Sequence, residues 1–411
     1  MLSVREFAGV VGDGQNDDAD GLQAALDTRS TVVYLPPPRV HYLVRSTLQI
    51  HSGQTLLLDR HTVIRLADQA NRIMLTNSEH HHGNKGITLI GGVWDGNNAN
   101  QTREDLRVAG YDPSRYIGVA LRFCNVRDLT IRGLTIKDPE SFGMQLGRIH
   151  QFTVEDITFD YNLLRRNMDG VHLNGSCSHG RIANLKGTTN DDLVALNADD
   201  CPPWEMSRGP ISHIVVDTIF SENGYTAVRL LSHGSPVSRI KLANVFGTYR
   251  YNVASFTSMA VHPGEPSTFD DISIDGVFCS KSSKDIDLPP DGPPGKRFAP
   301  IRIDAPAVVS ALTIRDYHRT EAVLPADDIH IEPGATIDNL VLSDVTLVNR
   351  CGSPINLLHN RGTIGNLGLT NVYAKAGDAR SGGFVLKNDV TISRTCPMNV
   401  SALGFELGYE T

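Results

Sequence analysis

The chain of 411 residues reads as all-β: a single-stranded right-handed parallel β-helix of about ten or more coils, with a short N-terminal capping helix. Three observations predict this. First, one pattern recurs: a β-branched or Leu residue, a polar residue, a second apolar residue, two positions often holding Asn, Asp or Gly, then an apolar residue again. Taking Leu89, Ile131, Val154, Ile182, Val216, Leu242, Ile274, Ile314, Leu342 and Leu369 as equivalent positions, the intervals run from 23 to 42 residues. The shorter ones match a single coil of three strands, and the excess is loop. Second, these segments lack the 3.6-residue apolar stripe of a helical solenoid. Third, aromatics make up only 6% of the chain while Val, Ile, Leu and Asn recur at strand spacing, which suits a stacked sheet. Repeat folds lengthen without adding separate cores, so the expectation is one domain over residues 1–411: lead-in and cap at 1–50, coils at 51–396, tail at 397–411.

From the N-terminus, Asp17 to Leu26 carries acidic residues first and apolar residues at helical spacing, as a short helix plugging the first coil requires. The coil segments follow, among them Leu129-Thr130-Ile131, Phe152-Thr153-Val154, Arg181-Ile182-Ala183-Asn184-Leu185 and Lys241-Leu242-Ala243-Asn244-Val245. Inserts at residues 97–118, 197–210 and 281–300 interrupt the repeat, and such loops on one face are expected to wall a cleft.

Composition narrows the partner. A formal net charge of −8 with no basic stripe points away from nucleic acid, and a neutral or modestly charged ligand such as a carbohydrate fits better. No apolar run reaches the length of a membrane span, so no membrane partner is expected. Met1 to Phe7 has no apolar signal core; the expectation is a cytoplasmic protein, the alternative a mature secreted one that has lost its signal peptide. The six cysteines form no CxxC pair, which predicts buried thiols and neither a zinc site nor a disulfide framework.

Two strings one coil apart carry the chemistry: Asn167-Met168-Asp169-Gly170-Val171-His172-Leu173 and Asn190-Asp191-Asp192-Leu193-Val194-Ala195-Leu196. Both alternate apolar residues in the same phase after an Asn and acids. With coils stacked at about 4.8 Å, Asp169 falls beside Asp192, with Asp191 adjacent. Clustered carboxylates repel one another and favour keeping one proton among them, which suits acid–base hydrolysis. A lone Asp-Asp pair is more often part of a turn ladder bonded to backbone. Three acids in one patch favour function.

These residues resemble a known family. Phe7-Ala8-Gly9-Val10-Val11-Gly12-Asp13-Gly14-Gln15-Asn16-Asp17-Asp18 and the Ala-rich helix after it look like the start of the pectate-lyase-like β-helix superfamily. The Asn-Met-Asp-Gly and Asn-Asp-Asp coils resemble glycoside hydrolase family 28, the polygalacturonase-like enzymes. The resemblance implies that Asp191 is the general acid, and that Asp169 and Asp192 deprotonate water. It also implies a substrate-binding Arg at Arg229, although the family's Arg-x-Lys reads Arg229-Leu230-Leu231 here. Arg239-Ile240-Lys241 looks like that motif but sits in the register of a different strand. The family's Gly-His-Gly coil has no counterpart, and Ser232-His233-Gly234 follows Arg229 instead of preceding it.

His172 and His233 are candidates to bind a hydroxyl or tune a carboxylate, against the plain reading of surface histidines. Trp204, in a cleft-side loop, is a candidate to stack on a sugar ring, whereas Trp94 reads as packing. Asp199 and Asp200 read as a solvated rim, and His80-His81-His82 as an exposed loop, because consecutive residues cannot all face one ion. The expected function is a glycoside hydrolase working by inverting single displacement, with no cofactor or metal. The alternatives are a polysaccharide lyase or epimerase, which would call for Ca²⁺ or a Lys/Arg base, and a non-catalytic glycan-binding β-helix of the tailspike or adhesin type.

Overall fold

The computed structural model of the chain describes residues 1–102, 118–199, 208–258, 264–284, 298–390 and 392–408. They divide into two compact units, one spanning Met1–Asp192 with Cys201–Gly209 and the other Leu193–Asp200 with Pro210–Thr411. Each is a stack of parallel coils, and the fold is a right-handed parallel β-helix.

In the first unit one column of inward side chains runs from Leu2 through Val33, Leu56, Leu89, Ile131 and Val154 to Ile182, every neighbour paired in parallel register. The second unit has the corresponding column Val216, Leu242, Ile274, Ile314, Leu342 and Leu369. Within each unit the positions taken as equivalent in the sequence are therefore true register partners. All but Leu2, at the end of the first column, are essentially buried. The paired strands begin at Leu2–Ser3 and Val32–Leu35, inside the stretch assigned to the lead-in, and end with Ile392–Leu403, which runs from the assigned coils into the stretch assigned to the tail.

The polar step in the repeat has a backbone cause. Asp156, Asn184, Thr218, Asn244, Asp316, Asp344 and Asn371 have φ between 52° and 61°, and Gly276 stands at the matching corner with φ 78°. Each turns the chain between two strand stretches in the left-handed region, which Asn, Asp and Gly enter at least cost. The corner side chains also stack from coil to coil: Asn184 Nδ2 donates to Asp156 Oδ1 at 2.6 Å, and Asn371 Nδ2 to Asp344 Oδ1 at 2.9 Å.

The expected helix spans Ala19–Asp27 and buries Ala19, Leu22, Ala25 and Leu26. Asp18, fully buried, ties the preceding segment down: its Oδ1 accepts from the Val11 and Gly12 amides and its Oδ2 from that of Leu43. Trp94 is buried and donates to the Gly91 carbonyl at 3.3 Å, so it packs as expected. Of the cysteines, Cys124, Cys177 and Cys279 are buried, and burial pushes their thiols up to about 12. Cys396 is exposed and Cys351 intermediate, contrary to the expectation of uniform burial. Among the described residues no helix is long and apolar enough to cross a membrane.

Candidate active site

The third strand of each coil in the first unit is short: Leu48–Ile50, Leu75–Asn77, Leu121–Cys124, Met144–Gly147 and Val171–Leu173. Alternation sends the flanking apolar residues inward. The middle residues Gln49, Thr76, Arg122, Gln145 and His172 form a column on the other face, partner to partner. Arg122, Gln145 and His172 in this column are nonetheless buried.

Burial forces these polar groups to satisfy one another, and they do so in a single direction. Arg122 Nε donates to Gln145 Oε1 at 2.9 Å, and Gln145 Nε2 donates to Asn174 Oδ1 at 2.9 Å. Asn174 Nδ2 approaches His172 Nε2 at 3.5 Å. His172 Nδ1 then meets Asp169 Oδ2 at 2.6 Å. Read as donors and acceptors, the series requires the His172 proton on Nδ1 and an acceptor carboxylate at Asp169. Each link polarises the next, from guanidinium to carboxylate. Phe142 stacks on the His172 ring with centroids 4.1 Å apart and planes 15° apart, fixing its rotation.

The acids meet through the strand ladder. The Gly143 amide donates to the Asp169 carbonyl and the Gly170 amide to the Asp192 carbonyl, at 2.9 and 3.0 Å. Asp192 therefore occupies on its coil the place that Asp169 occupies one coil earlier, and both are 3% exposed. Asp191 is half-buried, and its Oδ1 accepts from the Asp192 amide at 3.0 Å. Tyr161 donates its hydroxyl to the Asp169 carbonyl at 3.0 Å, and Asn190 Nδ2 donates to the Arg165 carbonyl at 2.7 Å. Arg165 in turn pairs with the buried Glu140 at 3.1 Å. The arrangement offers an oriented carboxylate–imidazole pair with two more carboxylates on the adjoining coil, a set suited to giving and taking protons.

Arg229 belongs to the second unit, on the strand Thr226–Leu231, where its Nε donates to Thr257 Oγ1 at 3.0 Å. Arg239 and Lys241 lie on Val237–Tyr249, in a different sheet, as their register implied. His233, also in the second unit, is buried; its Nδ1 contacts Ser258 Oγ at 2.8 Å. Asp199 overturns its reading as a solvated rim. It is 2% exposed, and its Oδ2 accepts from the His233 and Ser235 amides at 2.8 and 2.6 Å, because buried loop amides need an acceptor. His172 is not a surface histidine. Trp204 and Asp200 lie outside the described residues. In the triple-His loop His81 and His82 are exposed, while His80 is half-buried with Nε2 on Thr76 Oγ1 at 2.7 Å.

Sequence reading missed Arg122, Gln145, Asn174 and Phe142. For Arg122 and Gln145 the signal is a polar residue at the centre of an apolar triplet, recurring in Leu121-Arg122-Phe123, Met144-Gln145-Leu146 and Val171-His172-Leu173; Asn174 and Phe142 carry no such signal.

Residues 39–201 match the family model of the glycosyl hydrolases family 28. A family 28 exopolygalacturonase of Yersinia enterocolitica superposes with a TM-score of 0.55 at 13% identity, covering 98% of this chain and 79% of that one. The tailspike protein of E. coli bacteriophage HK620, solved with a pentasaccharide, superposes with a TM-score of 0.59 at 13% identity, covering 97% of this chain and 78% of that one. A curated relative, the UDP-N-acetylmuramoyl-L-alanyl-D-glutamate--2,6-diaminopimelate ligase of Listeria monocytogenes, is 27% identical over 172 residues, 37% of this chain and 35% of the relative. This chain thus spans about a third of that relative's length. The fold is a right-handed parallel β-helix, and over residues 39–201 this chain resembles family 28.

Proposed function

We propose that the protein is a glycoside hydrolase that cleaves a glycosidic bond in an oligo- or polysaccharide by single displacement with inversion. The observation that carries this is the stacking of Asp169 and Asp192 on adjacent coils, with Asp191 beside them and His172 Nδ1 2.6 Å from Asp169 Oδ2. All of these residues lie inside the segment that matches family 28.

The roles follow from position. Asp191 Oδ1 is occupied by the Asp192 amide, so the acid proton is held on Oδ2 and passes to the leaving oxygen as the glycosidic bond breaks. Asp169 and Asp192 take a proton from water, whose oxygen bonds to the anomeric carbon from the opposite side. His172 orients Asp169 and stabilises its charge, and is itself held by Phe142 and by the amides running back to Arg122. These steps use neither Arg229, His233 nor Trp204.

The alternative of glycan binding without cleavage draws support from the likeness to the tailspike. Incubation with a panel of oligo- and polysaccharides, with mass and proton NMR analysis of the products, separates the readings. Hydrolysis adds one water to each cleaved bond, elimination leaves an unsaturated sugar, epimerisation leaves chain length unchanged, and a binding protein returns the glycan intact.

A further inference from the structure

A second cluster of ionisable side chains lies wholly in the second unit. The outward column of its short strands runs Arg229, Ser255, Arg302, His330, His359, Lys387 in parallel register, which puts the imidazoles of His330 and His359 on adjacent coils. Their rings meet edge to face with centroids 4.8 Å apart. Asp327, three residues before His330, directs Oδ2 at both: 2.8 Å from His359 Nδ1 and 4.0 Å from His330 Nδ1. Its other oxygen is anchored by the Asn356 amide at 2.8 Å and by Asn356 Nδ2 at 2.9 Å.

We propose that Asp327, His330 and His359 bind one divalent transition-metal ion of the zinc class, a site that does not depend on the glycosidase reading. One donor atom from each lies within 4.8 Å of the other two. Ligands at 2.0–2.1 Å around a tetrahedral ion stand about 3.3 Å apart, so small side-chain rotations close the set. Two imidazole nitrogens and one carboxylate oxygen suit zinc and its first-row neighbours better than Ca²⁺ or Mg²⁺, which prefer all-oxygen shells.

The far nitrogens carry the argument further. In metal sites the second ring nitrogen of a His ligand commonly faces a carboxylate, which fixes the tautomer and strengthens the ligand. Here His359 Nε2 lies 3.1 Å from Asp389 Oδ2, and His330 Nε2 lies 3.7 Å from Glu332 Oε2. The cationic neighbours are engaged: Arg302 pairs with Asp304 at 2.7 Å and Glu332 at 3.0 Å, and Arg361 lies 3.7 Å from Asp389. A metal-free account explains His359, which sits between two carboxylates within hydrogen-bond range. It does not explain His330, whose buried Nε2 has no hydrogen-bond partner and whose Nδ1 stands too far from Asp327 for a direct bond.

The test uses the full chain, stripped with a chelator and titrated with Zn²⁺ by calorimetry, with Co²⁺ absorption as the spectroscopic probe. The proposal expects one Zn²⁺ per chain, a raised melting temperature and a visible Co²⁺ band, all retained in His81→Gln/His82→Gln. His330→Gln and His359→Gln should each abolish that stoichiometric site. Asp389→Asn, an exposed change that should leave folding intact, should weaken binding by about 10–100-fold. Absence of Zn²⁺ uptake by the wild type, or unchanged affinity in His330→Gln and His359→Gln, overturns the proposal. Should either His variant fail to fold, unchanged affinity in Asp389→Asn overturns it.

Discussion

The coil corners and the acid patch are built from the same two residue types and the same coil-to-coil stacking, yet they differ in burial and in what is stacked on what. At the corners Asp156, Asn184, Asp344 and Asn371 are exposed, and an amide donor meets a carboxylate or amide acceptor on the next coil. That pattern is what a turn ladder needs: left-handed backbone and complementary side chains. In the acid patch Asp169 and Asp192 are buried and hold equivalent places on adjacent coils, so that acid follows acid in the stack. Repulsion and desolvation both oppose such an arrangement, and a scaffold that already has a neutral solution at its corners has no structural use for it. Expensive placement of this kind is what supports the catalytic role proposed for the patch.

The comparison predicts that acid-patch substitutions change rate and spare stability, and that corner substitutions do the reverse. Asp191→Asn keeps the side chain's shape but removes the transferable proton; turnover on the cleaved glycan should fall about 10²–10⁴-fold with an unchanged melting curve. Near-normal turnover would remove Asp191 from the mechanism. His172→Ala should cost about 100-fold in kcat with little change in KM, because Asp169 loses the group that orients it. At the small end, Asn184→Gly retains a residue at ease with φ 52° and deletes the bond to Asp156. About 1 kcal/mol of stability in chemical denaturation and no loss of turnover are expected.

Much of the architecture was legible because its physics is local. Inward methyl groups at alternate positions and a left-handed corner every coil leave a mark on the sequence, so Leu89, Ile131, Val154 and Ile182 could be aligned before their pairing was seen. The placement of Asp169 beside Asp192 followed from the same phase. What could not be read depends on burial and partners supplied by other coils. Arg122, Gln145 and Asn174 are single polar residues in apolar surroundings, and only stacking shows that they form one series ending on His172. Asp199 looked like a rim residue because nothing in Asn197-Ala198-Asp199 reveals the loop amides of His233 and Ser235 that it accepts from. His330 and His359 belong to no motif, being 29 positions apart, and only the coil register makes them neighbours.

The central claim is that three clustered aspartates divide the work of an inverting displacement. Its most direct test is the anomeric configuration of the first product, followed by proton NMR before mutarotation. With Asp191 protonating the leaving oxygen and Asp169 and Asp192 activating water on the opposite face, the released sugar should carry the anomer opposite to that of the bond cleaved. Retention of configuration would require a covalent glycosyl-enzyme intermediate and would contradict the roles assigned to all three acids.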